Sequence, residues 1–86
     1  MTLLTYELLT ARTMREIHRH MAAVHSAIDV EQRINAQGCA IGALALWRAL
    51  VADAQLTADP GVYTRHLDDD QQLRELVYGT QPNDAR

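Results

Sequence analysis

Gly38-Cys39-Ala40-Ile41-Gly42-Ala43-Leu44-Ala45-Leu46-Trp47 is the longest uncharged, mostly apolar run of this chain, and it lies at its middle. Polar, helix-forming sequence flanks it on both sides. The run predicts the buried helix of a small α-helical domain, against which the other segments pack. It ends at Arg48 and has about half of the ~20 apolar residues that a bilayer-spanning helix needs. It therefore reads as a core helix in a domain without membrane contact.

Outward from the run, this helix is expected from Val30 to about Ala54, with Asp29 as N-cap and Gln32 placed to reach back as in a capping box. Two unlike faces follow from helical spacing, and both are expected to be covered. Ile34, Gly38, Ile41, Gly42, Ala45 and Ala49 form a mostly small one; Cys39, Ala43, Leu46, Trp47 and Leu50 form a larger one. Gly38 and Gly42, four residues apart, mark a place where another helix backbone can approach closely, because each costs ~1 kcal/mol against Ala in a helix interior. A second reading lets Asn35-Ala36-Gln37-Gly38 end one helix and start another.

On the amino-terminal side, residues 3–27 carry three–four apolar spacing and read as one helix with Thr2 as N-cap. A competing start is Thr13-Met14-Arg15-Glu16, a capping-box pattern. Met14, Ile17, Met21, Val24 and Ile28 keep heptad spacing along one narrow seam. Such a seam serves either the domain's own core or self-association into a homodimer. The connection near 26–29 is short, so the two helices are expected to be antiparallel neighbours.

On the carboxy-terminal side, Thr57-Ala58-Asp59-Pro60-Gly61 carries the residues of a type II turn. Val62–Leu67 is then expected to form one helical turn. Asp68, Asp69 and Asp70 would cap a last helix from Asp70 to Tyr78, and Gly79 would end it. Residues 80–86 read as a mobile polar tail. The expected fold is all-α: residues 1–79 as one domain, a small three- to four-helix bundle built on an antiparallel helical hairpin.

With 86 residues, the chain buries only roughly 60% of the surface its unfolded form exposes. Small scaffolds offset that with disulfides, metals or oligomerisation. Cys39 is the only cysteine, so no disulfide forms within the chain; lying in an apolar run, it is expected to be buried as a small core hydrophobe in a reducing cytoplasm. His18, His20 and His25 do not share the one-turn spacing of a helical metal site, so no metal is expected. No cofactor loop, nucleophile elbow or carboxylate pair is present, so neither a cofactor nor an enzyme is expected. Oligomerisation or a well-packed helical monomer remains.

All eight basic residues are arginine, and the net charge is −3. Arg12, Arg15 and Arg19 line one flank of the first helix, whereas Asp68, Asp69 and Asp70 head the acidic carboxy-terminal third. Opposed patches of this kind suit a protein partner or head-to-tail association. An arginine stripe also binds phosphates bidentately, but the overall acidity argues against nucleic acid.

The hexad Cys39-Ala40-Ile41-Gly42-Ala43-Leu44, with Asn83-Asp84 near the end, resembles a motif in small actinobacterial and actinophage proteins of uncharacterised function. In those the hexad opens a helix and a tryptophan precedes the Asn-Asp pair; here Pro82 stands in that place. The resemblance covers about six residues and implies no activity. The expected function is a non-enzymatic protein–protein interaction module, a phage- or plasmid-type accessory or inhibitor protein that self-associates. The alternative is a nucleic-acid-associated regulator contacting phosphates through Arg12, Arg15 and Arg19.

Overall fold

The computed structural model describes residues 5–54 and 58–79, which form three α-helices and no strand. Thr2, Thr57 and the 80–86 tail lie outside the described residues.

Helix α1 runs Tyr6–Ser26 as a single helix. Thr5, rather than Thr2, is its cap: the Thr5 Oγ1 accepts a hydrogen bond from the Leu8 amide at 3.1 Å, and Glu7 sits in the first turn, where the helix dipole favours an acid. Thr13 caps nothing. It is buried in mid-helix, so the competing start is not used and the single-helix reading holds. The helix stops where Ala27 turns extended, at φ −64° and ψ 136°.

Helix α2 runs Val30–Asp53, and Asp29 caps it as expected, its Oδ1 accepting from the Gln32 amide at 2.8 Å. The Gln32 side chain reaches back one residue further than a capping box requires, accepting from the Ile28 amide at 3.3 Å. The helix is continuous through Gly38, because the only described glycine with positive φ is Gly79.

Helix α3 runs Pro60–Tyr78 and corrects the expected turn-plus-short-helix arrangement. Asp59-Pro60-Gly61 is a helix start: Asp59 Oδ1 accepts from the Gly61 amide at 2.7 Å, and Pro60 occupies the first turn, where its fixed φ fits and its missing N–H is no loss. Asp68, Asp69 and Asp70 consequently sit in mid-helix and cap nothing. Gly79 does end the helix, at φ 79°, with its amide donating to the Glu75 carbonyl at 2.7 Å.

The core is assembled from all three helices: Tyr6, Leu9 and Ile17 from α1; Ala40, Leu44, Trp47 and Val51 from α2; Leu73 and Val77 from α3. Trp47 is 0% exposed, and its ring alone removes ~200 Å² from water, roughly 5 kcal/mol. The buried stripe of α2 takes in the larger face read from the sequence only in part, with Trp47 buried and Ala43 and Leu50 packed at its edge. It otherwise consists of Ala40, Leu44 and Val51, which neither face included; the small face is not covered. Apolar residues surround this helix on all sides, so the periodicity does not single out a covered face.

Polar bonds fix the register of the three helices. The Trp47 indole Nε1–H donates to Thr10 Oγ1 at 3.0 Å, in a buried pair. The Tyr6 hydroxyl donates to Asp69 Oδ2 at 2.6 Å. His66 lies between these aromatic groups, its ring 5.0 Å from that of Trp47 and 6.3 Å from that of Tyr6. The Gln37 amide donates to the Val77 carbonyl at 2.6 Å, satisfying one of the carbonyls orphaned at the end of α3. Arg65 pairs with Glu7 at 3.2 Å and lies 5.4 Å over the Tyr6 ring.

Thr10→Val keeps the shape of that site but strands the indole N–H. The urea midpoint, read by fluorescence of the sole tryptophan, is expected to fall by the equivalent of about 1–3 kcal/mol, with Thr10→Ser restoring most of it. Burial, then the bond to Asp69 and its charge, raise the Tyr6 hydroxyl pKa well above the ordinary 10.0. The neutral phenol is thus favoured in the folded state. Its contribution is fully present below the unfolded pKa of about 10 and declines as pH rises above it. Denaturation across that window is expected to show a shallower alkaline loss of stability in Tyr6→Phe than in the wild type.

Candidate interaction surface

The acidic run divides between two roles. Asp69 holds Tyr6, and Asp70 accepts two bonds from Arg48, from Nε at 2.6 Å and Nη2 at 3.2 Å, with Arg74 Nε at 3.3 Å on the same carboxylate. The pairing raises the pKa of Arg48 above the ordinary arginine value. These two acids tie α3 to α1 and α2. Asp68 is exposed, and no bond to it occurs among the described residues.

The arginine flank of α1 is also partly occupied. Arg12, Arg15 and Arg19 are all exposed, but Arg19 donates to Glu16 Oε1 at 2.7 Å, and His20 lies 3.9 Å from the same carboxylate. The Arg19 bond holds the Glu16 carboxyl below its ordinary pKa and raises that of Arg19. Glu16 thus sets a negative charge within the stripe, leaving Arg12 and Arg15 as its unpaired cations among the described residues. That weakens it as a phosphate track, since each neutralised cation removes a contact on which nucleic-acid affinity depends.

The heptad seam of α1 is divided along its length. Ile17 is fully buried in the core, Met14 and Met21 pack against it, Val24 is half-buried, and Ile28 is 86% exposed. Most of the seam is used inside the molecule, because α2 and α3 lie on it. The histidines scatter, and no group of three metal-ligating side chains gathers among the described residues. Cys39 is exposed, not packed in the core.

Among the described residues, α2 carries an unpartnered, mostly apolar surface. Ile34 is 63% exposed, and Gly38, Ile41, Gly42, Ala45 and Ala49 are exposed beside it along the same side. A Cβ built on Gly38 or Gly42 would meet nothing within 4 Å. The close packing expected at these glycines is therefore not made within the chain: α1 and α3 both contact the opposite, Ala40-Leu44-Trp47-Val51 side. Around the flank, Leu46 is 59% exposed and lines a small groove with Leu9, Trp47 and Leu50.

By length and composition α2 is also apolar enough to cross a bilayer, and only 22% of its most apolar window is buried. This departs from the expectation that a ten-residue apolar run falls well short of a membrane span, since the apolar character of the helix extends beyond that run. The sequence signal for the bare face was available in the absence of charge from Ile34 to Trp47. What it lacked was any indication of which side α1 and α3 would cover.

No family model matches the chain, nor does any curated protein or any solved structure.

The division of the acidic run is testable. Asp70→Asn removes a paired, partly buried charge and is expected to lower stability by about 1 kcal/mol in chemical denaturation, whereas Asp68→Asn stays within about 0.5 kcal/mol of wild type.

Proposed function

We propose that this protein is a non-enzymatic protein–protein interaction module, a three-helix bundle that presents the outer face of α2 to a protein partner. The observation that carries the reading is the row of Ile34, Ile41 and the small residues beside them, left open to solvent on a continuous helix with no charge between Ile34 and Trp47. Contiguous apolar surface of this kind is costly on a small acidic protein and marks a docking site.

The bundle rests on an antiparallel α1–α2 hairpin. Its support is the bond from Trp47, late in α2, to Thr10, early in α1, together with a connection of only Ala27, Ile28 and Asp29. The exposed thiol of Cys39 fits a reducing, cytoplasmic setting. Small size and net acidity agree with an accessory or inhibitor protein of the phage or plasmid kind, which acts by covering a surface of another protein.

Affinity capture from the native source tests this. With wild-type protein as bait, a protein should be retained that is released when Ile41→Arg places a charge at the centre of the face. Identical profiles from the two baits would count against the face as the docking site.

A further inference from the structure

We infer that the outer face of α2 is covered by α2 of a second copy of this chain, the two helices running antiparallel with Gly38 of each copy opposite Ala45 of the other. The inference rests on the interaction-module reading and names the partner.

The face consists of two rows, each stepping by four residues: Ile34-Gly38-Gly42 and Ile41-Ala45-Ala49. A two-fold axis perpendicular to the helix, passing between positions 41 and 42, reverses the chain and lays the first row against the second. Ile34 then meets Ala49 of the partner copy, Gly38 meets Ala45, and Gly42 meets Ile41. Each large side chain falls opposite a small one. Dimers with two-fold symmetry need this self-complementarity, because one patch must fit itself. A foreign partner places no such demand on the sequence. Rows stepping by four that interdigitate are also the commonest mode of helix packing, and glycines at this spacing bring two backbones close.

One observation of the structure agrees with a second copy: neither glycine is used inside the chain, since a Cβ at either position meets open space.

A bilayer is a poorer occupant, although α2 has the overall length and composition of a spanning helix, because its Ala40-Leu44-Trp47-Val51 side is packed in the core with α1 and α3. The uncharged interval from Ile34 to Trp47 is about 21 Å long at 1.5 Å per residue, short of the ~30 Å hydrocarbon core.

Sedimentation equilibrium of the full chain tests the pairing. The wild type is expected at twice the 9.6 kDa chain mass at micromolar concentrations. Gly42→Leu should sediment as a single chain while keeping its helicity, because a Cβ at this position meets nothing in the monomer. A wild type of single-chain mass at all concentrations, or a Gly42→Leu protein that still pairs, overturns the inference. Register is read by oxidative cross-linking in a Cys39→Ser background. Chains carrying Gly38→Cys mixed with chains carrying Ala45→Cys should give mainly the mixed product; predominant like-with-like products mean parallel helices and overturn it. So does a monomer that floats with phosphatidylcholine vesicles, which identifies lipid as the occupant. A single-chain mass together with a captured protein released by Ile41→Arg overturns the self-pairing alone. A single-chain mass with no such protein removes the interaction-module reading as well.

Discussion

Trp47 is the constraint on which the rest of the structure depends. Its ring is fully buried, and its one polar atom has a single good partner, the hydroxyl of Thr10 on the neighbouring helix. A buried indole N–H without a partner is costly. The rotation of α2 about its own axis is therefore set by the need to turn Trp47 toward Thr10 as well as into the core. Once that rotation is set, Ala40, Leu44 and Val51 follow inward at helical spacing, and Ile34, Gly38, Ile41 and Ala45 are turned outward.

The third helix is held by different chemistry. Its apolar contribution to the core is small, Leu73 and Val77 with partial help from Val62 and Leu76. Its position is defined by polar contacts: Asp69 to Tyr6, Asp70 to Arg48, and the Val77 carbonyl to Gln37. Partly exposed ion pairs contribute little individually, but they discriminate strongly between alternative placements of a helix. The acidic run is thus used mainly for internal orientation, although its charge alone would suit an external surface equally well.

The apolar surface left on α2 links this architecture to the proposed role. Both described neighbours of the central helix, α1 and α3, approach it from one side. Gly38 and Gly42 lower the helix propensity of α2 without a packing gain inside the molecule. That cost has an explanation if another backbone approaches the helix in the assembly.

Local chemistry in the sequence was enough to determine that the protein is helical and where α2 begins and α3 ends; that α2 continues through Gly38 was left open there and came from the structure. Asp29, Gln32 and Gly79 act through neighbours a few residues away, so their roles are readable from spacing. Asp59-Pro60-Gly61 was ambiguous at that level, since turns and helix starts use the same residues, and the helix that follows decides between them. Only the tertiary structure decided which side of α2 is covered, that Thr13 is core and not a cap, and that Asp69 and Asp70 are internal ties. Each of these depends on residues distant in the sequence, 22 positions for Asp70 and Arg48 and 63 for Asp69 and Tyr6, and a helix apolar on all sides carries no local mark of which side its neighbours will take.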